Sequence, residues 1–308
     1  MPLFSIIVTV YNTSKYLDKC INSIMNQTFK DFELVIVNDG STDSSEKIID
    51  EYVAEHSNIT KINKENGGIS SARNCGISSV KGEYFLFIDG DDYVNGNLLE
   101  VINKNISEDI DVLSYNIQRV NEKGEVVEKV LKPGFEEKTG EEAIIEFINN
   151  SNLFDTPVAY IYRTKYFLNN NFQYAPNKEH EDFGLTPLVI AFAEHVKSIE
   201  DVLYNYLQNE ESNTRTTDYS KTVKKANDML YHFDNMYQLI KNSDLAGDTK
   251  KIFNSFIANS LILKVNSLED ADRKEYITEL KNRNVSDLLL DNTLPRKVKK
   301  IIMRMKGM

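Results

Sequence analysis

Apolar residues in the first hundred positions follow two alternating patterns. Short, nearly continuous runs rich in β-branched residues occur at "FSIIVTV" (4–10), "FELVIVN" (32–38), "ITKIN" (59–63) and "YFLFID" (84–89). The first predicts a parallel strand covered on both faces, and the others predict strands. Between them the period lengthens. In "KYLDKCINSIMNQ" (15–27) Leu17, Ile21, Ile24 and Met25 fall on one helical face, and in "SSEKIIDEYVAEH" Ile48, Ile49, Tyr52 and Val53 do the same. The glycine turn "NGGISSARNCGISS" separates the third and fourth runs. Strands alternating with helices over short links predict a doubly wound, mostly parallel α/β sheet, in which ligands gather beyond the carboxyl ends of the strands. Polar residues sit at those ends: Thr9, Tyr11 and Asn12 after the first run, Asn38 and Asp39 after the second, Asn66 and Gly67 after the third, and Asp89 to Asp92 after the fourth.

Beyond residue 100 the patterns soften. "IDVLSYNIQRV" and "VVEKVLKP" read as strands, "GEEAIIEFINN" as a helix, and "PNKEHEDFGLTPLVIAFAEH" as a polar loop running into a helix. "KSIEDVLYNYLQNEESNTR" reads as a strand and a polar loop, and from about Tyr219 the period is wholly helical. The expected division is a domain over 1–215, with a first half near 1–100 and a second over 101–215, followed by a helical region over 216–308.

With 308 residues, 41% of them hydrophobic, the chain can bury a sizeable core. Its net charge of −11 argues against nucleic acid as a partner, since phosphate polymers are held by basic fields. Two cysteines, Cys20 and Cys75, lack the spacing of a disulfide framework or zinc site, and no apolar run reaches the length of a signal peptide or membrane span. A reducing cytoplasm is the expected address. The acids of "EYFLFIDGDDYV" stand out in this setting. Asp89, Asp91 and Asp92 fall within one turn, and clustered like charges are costly unless a cation sits among them.

That stretch resembles the Asp-x-Asp signature of nucleotide-sugar glycosyltransferases. With "SIIVTVYN", "INSIMNQTFKDFELVIVNDGSTDSS", "NGGISSARNCGI" and "EHEDFG" it follows the order and approximate spacing of family 2 glycosyltransferases of the GT-A fold, over roughly residues 3–205. The resemblance implies an inverting, metal-dependent transferase. Its donor would be a nucleotide-diphospho-sugar, UDP-linked hexose or N-acetylhexosamine, and its acceptor a glycan, lipid-linked or glycoprotein hydroxyl.

The charge balance agrees with that implication. A diphosphate fits a protein of −11 when Asp91, with Asp89 on the metal or the ribose, holds a hard divalent ion, Mn²⁺ or Mg²⁺. Asp92 is expected to cap the following segment. The resemblance implies that Asp39 accepts from uracil N3–H, with Thr9 and Val10 offering backbone groups and Tyr11 stacking on the base; Asn66 and Gly90 belong to the same rim. It also implies an Arg73 fork on the diphosphate, a base at Asp182 with Glu181 binding sugar or acceptor, and an Arg215 carried in by a mobile loop. Plainer readings exist for each: a turn for Asp39, a core aromatic for Tyr11, a surface salt bridge for Arg73, a helix cap for Asp182 and a solvated side chain for Arg215.

The last stretch, 295–308, carries six basic residues and no acid, so removing it takes the net charge from −11 to −17. Val298, Ile301, Ile302 and Met305 lie at helical spacing there, which suits either peripheral contact with an anionic membrane or a helix docked on the acidic body. The C-terminal helices also offer a surface for self-association. The rival to an enzyme is a non-catalytic nucleotide-sugar-binding or scaffolding subunit of a glycan assembly complex. A glycosidase would use paired carboxylates without a phosphate-binding rim.

Overall fold

The computed structural model describes residues 1–150, 156–208, 218–290 and 301. Strands β1 (Phe4–Val10), β2 (Phe32–Asn38), β3 (Ile59–Asn63) and β4 (Tyr84–Asp89) alternate with helices α1 (Ser14–Met25), α2 (Ser45–Glu55) and α3 (Gly68–Ile77). All seven residues of β1 and of β2 are buried, which is why these strands read as unbroken apolar runs. Polar Ser5 is tolerated inside β1 because its hydroxyl donates to Glu33 Oε1 at 2.6 Å and accepts from Gly82 N–H at 2.8 Å.

The chain continues through β5 (Tyr93–Val94), α4 (Leu98–Asn105), β6 (Val112–Val120), β7 (Val126–Val130), β8 (Phe135–Lys138), α5 (Gly140–Asn149), β9 (Tyr160–Arg163), α6 (Thr164–Asn169), α7 (Glu181–Ala191) and β10 (Val196–Leu207). Helices α8 (Tyr219–Asn242), α9 (Gly247–Lys264) and α10 (Asp270–Asn282) follow. The sheet order is β3-β2-β1-β4-β9-β6-β10-β5, with β7 on β6 and β8 on β10. The first four strands are parallel; the other half is mixed, because β9 runs antiparallel between β4 and β6. The order reverses at β1, which has β2 on one side and β4 on the other, so a crevice opens beyond the carboxyl ends of β1 and β4.

One apolar cluster runs from the sheet into the C-terminal helices, including Met229, Phe233, Phe253 and Leu261. Helix α8 packs on α7, and α9 on α5. No helix among the described residues is long and apolar enough to cross a membrane. Of the basic stretch 295–308 only Ile301 is described; it is buried in that same cluster, and the rest lies outside the described residues.

Candidate active site

The ends of β1, β2 and β4 are tied by their own backbones. Gly90 N–H donates to Thr9 O at 3.0 Å and Asp39 N–H to Val10 O at 2.9 Å, so the carbonyls of Thr9 and Val10 join neighbouring strand ends. Two glycines make this closeness feasible. A Cβ on Gly90 would lie 2.9 Å from both Thr13 Oγ1 and Thr9 O. Gly40 has φ +72°, and its Cβ would lie 2.8 Å from Asn66 N.

Beyond these ends lies a cavity of about 540 Å³. Thr9, Val10, Tyr11, Asp39, Asn66, Arg73, Asp89, Gly90, Asp91, Glu181 and Asp182 all line it, drawn from five separated segments of chain. Arg215 lies outside the described residues. Tyr11 is 46% exposed and so is not a core aromatic.

Asp39 is buried at the start of α3, where its Oδ1 accepts from Lys64 Nζ at 2.5 Å and Gly67 N–H at 3.0 Å, and its Oδ2 from Gly68 N–H at 2.8 Å. The free N–H groups of a helix start favour such a carboxylate. Asn66 Nδ2 donates to the Asp39 carbonyl at 3.0 Å, which holds the turn against α3.

Arg73 departs from the expected open fork. It is 4% exposed, with Nη1 donating to Glu181 Oε1 at 2.8 Å and Nη2 to Asp89 Oδ1 at 3.2 Å. Its guanidinium carbon lies 5.6 Å from the Phe87 ring centre and 5.5 Å from that of Tyr174. Neither a surface salt bridge nor a side chain extended into the cavity, it is a buried strut between the carboxylate closing β4 and the one opening α7.

The three acids of the β4 turn separate by environment. Asp89 accepts from Arg73 and, at 3.3 Å, from Thr9 Oγ1. Asp91 lines the cavity. Asp92 caps no following segment; it is 2% exposed, and its oxygens accept from Tyr204 Oη at 2.6 Å and Leu207 N–H at 2.7 Å, fastening the turn to β10. Burial, with Asp91 and Asp89 nearby, pushes its carboxyl well above the usual carboxylate range.

Across the cavity, His180 sits at φ +60° immediately before α7. Its Nε2 lies 2.8 Å from Lys264 Nζ, and burial together with the Lys264 charge pulls the imidazole down to about 4. His180 is therefore neutral at pH 7 and does not line the cavity. Glu181 and Asp182 form the first turn of α7, where acids suit the helix dipole; Asp182 Oδ1 accepts from Phe183 N–H at 2.8 Å. Burial pushes the Glu181 carboxyl up to about 7, against the opposing pull of Arg73.

That shift has a signed consequence. A carboxyl raised from 4.5 to about 7 binds more protons folded than unfolded within that window, so its contribution to stability falls as pH rises through it. His180, depressed from 6.5 to about 4, runs the other way over an overlapping range, so the parent curve alone mixes the two. The expected outcome concerns the difference. The stability of Glu181→Gln relative to the parent rises between about pH 4.5 and about 7 and is flat above, whatever its offset at low pH. Urea melts at half-unit pH intervals check this; a pH-independent difference would remove the titration from Glu181.

Several cavity residues carry no local signal in the sequence. Thr156, Glu179 and Tyr206 belong to this wall, as do Lys221 and Lys225 of α8. The two lysines fall in a stretch that the sequence marks only as helical, and only the docking of α8 brings them to the cavity.

Hard oxygen donors suitable for a divalent ion stand at Asp89 and Asp91, whereas both oxygens of Asp92 are already engaged. Among the described residues no group of three or more His, Cys, Asp or Glu side chains is arranged to hold a metal by itself. Mg²⁺ commonly takes one or two carboxylates and completes its shell with substrate phosphates and water, and that donor set fits this turn.

The family model described as "Glycosyl transferase family 2" matches residues 5–169. The uncharacterized glycosyltransferase EpsJ of Bacillus subtilis is 29% identical over 271 residues, covering 83% of this chain and 75% of EpsJ. The glycosyltransferase GlyG of Streptococcus pneumoniae is 32% identical over 225 residues, covering 70% of this chain and 73% of GlyG. Among solved structures, S. aureus TarS 1–349 in complex with UDP-GlcNAc aligns with a TM-score of 0.71 at 24% identity, over 98% of this chain and 88% of that one, a likeness of fold.

Proposed function

The chain belongs to glycosyl transferase family 2, and on that premise we propose that it moves a hexose or N-acetylhexosamine from a UDP-linked donor, with inversion, to a hydroxyl of a glycan, lipid-linked or glycoprotein acceptor. As a member it is a glycosyltransferase using a nucleotide-activated sugar. The observation that carries the finer reading is the strut: Arg73 joins Asp89 of the donor-side turn to Glu181 of α7, so two motifs far apart in the chain face one cavity. The choice of UDP is motivated by TarS, whose fragment is in complex with UDP-GlcNAc.

In this reading Asp39 and Asn66 meet the base, Tyr11 stacks on it, and Asp91, with Asp89, holds Mg²⁺ or Mn²⁺. The ion, when bound, supplies Lewis-acid stabilisation of the departing diphosphate. Asp182 accepts the proton of the acceptor hydroxyl as that oxygen attacks the anomeric carbon from the face opposite the diphosphate. Glu181 orients the sugar or acceptor, and Arg73 keeps the two carboxylate groups in register. Residues 1–215 form the catalytic unit in this reading, and 216–308 a helical companion.

Thermal unfolding with UDP-, GDP- and dTDP-sugars, each with Mg²⁺ or Mn²⁺, tests the donor. UDP-sugars are expected to protect by about 2.7 kcal/mol at a hundredfold excess over their dissociation constant. Protection confined to GDP- or dTDP-sugars would overturn the UDP assignment.

A further inference from the structure

The cavity is crowded with negative charge. Asp39, Asp89, Asp91, Glu179, Glu181 and Asp182 all line it, and a donor diphosphate adds more. The cations of the inner wall are committed: both terminal nitrogens of Arg73 lie on Asp89 and Glu181, and Lys64 lies on Asp39. Two further cations, Lys221 and Lys225, come from α8. They are four residues apart and so share one helical face. Among the described residues no ion pair is recorded for either.

Helix α8 is not a loose neighbour. Asp228, on the same face three residues beyond Lys225, is 5% exposed and accepts from Glu179 N–H and Lys178 Nζ, each at 3.0 Å, and from Lys224 Nζ at 2.6 Å. One turn later His232 Nε2 lies 3.0 Å from the Glu179 carbonyl. The helices also meet at Gly184, where a Cβ would fall 2.0 Å from His232 Nδ1. These contacts fasten α8 to the segment that carries Glu181 and Asp182, and thereby set where Lys221 and Lys225 stand.

We propose that Lys221 and Lys225 bind the phosphate oxygens of the donor diphosphate, so that the C-terminal helical region completes the donor site. The proposal rests on the donor reading above. Lysine suits the task as a compact charge on a flexible stem, with three donors to offer to phosphate oxygens. It also accounts for how an acidic cavity accepts an anionic ligand without calling on Arg73, which is already paired.

Titration calorimetry at fixed Mg²⁺ tests it, with UDP and uridine as probes, on the parent and on the double variant Lys221→Gln/Lys225→Gln. The double variant is expected to lose about tenfold in UDP affinity for each charged contact removed, while uridine affinity stays within twofold. The salt dependence of UDP binding should flatten, Lys221→Arg/Lys225→Arg should restore most of the affinity, and the donor KM should rise with little change in kcat. Lys47→Gln, which removes one charge from an exposed position on α2, is the control and should match the parent. UDP affinity within twofold of the parent would overturn the proposal, as would an equal loss for uridine, or a rise confined to the acceptor KM. A parent that binds no nucleoside diphosphate would instead sink the donor reading, and this inference with it.

Discussion

Asp182→Asn is expected to bind the donor like the parent and to lose transfer by about 10²–10⁴-fold in kcat, the usual contribution of a positioned general base. Donor binding should survive because the donor-side contacts proposed here lie at the ends of β1 and β2, before α3, on the β4 turn and on α8, and Asp182 is none of them. The fold should survive as well. Asp182 Oδ1 accepts from Phe183 N–H, and an asparagine Oδ1 can keep that bond. Glu181→Gln gives the contrast: it removes a carboxylate already joined to Arg73, so its effect should fall on stability and positioning. Donor affinity from calorimetry beside single-turnover transfer rates separates the outcomes. An Asp182→Asn enzyme that turns over within tenfold of the parent would show that another group takes the proton.

Asp91→Asn should remove most of the metal dependence of donor binding and lower kcat/KM by about 10²–10³-fold. A divalent ion on a diphosphate supplies several kcal/mol of charge stabilisation, and each 1.36 kcal/mol is a factor of ten. The substitution leaves the turn's other anchors in place. Asp89 keeps Arg73 and Thr9, while Asp92 keeps Tyr204 and Leu207. The parent stripped of metal by a chelator should bind UDP-sugar about as weakly as the variant with Mn²⁺ present. If Asp91→Asn retains the parent's metal-dependent affinity, the ion is held elsewhere.

The sequence and the structure divide unevenly over this protein. Strands β1, β2 and β4 lie where the apolar runs place them, because strands covered on both faces must be apolar throughout, and that requirement is written residue by residue; β3, at the sheet's edge, is buried only at Ile59. The rim follows in part: burying a charge is costly, so most polar residues at the strand ends, Asp89 and Asp91 among them, face the crevice. Eleven of the twelve proposed site residues accordingly line one cavity.

What the sequence leaves open depends on contacts between distant segments, which impose no local period. Strand β9 is only four residues long, and nothing in "YIYR" says that it lies between β4 and β6. Asp89, Asp91 and Asp92 read alike in a row, yet Tyr204 and Leu207 draw Asp92 into the core while Asp91 stays at the cavity. Arg73 reads as part of a glycine turn, with a diphosphate fork or a surface salt bridge as its roles; the structure puts it on α3, and only the approach of α7 to β4 makes it a strut. The same holds for Lys221 and Lys225. Their spacing determines that they share a helical face, but the direction of that face is decided by Asp228, His232 and the missing side chain of Gly184, because docking one helix on another is a matter of long-range packing and charge.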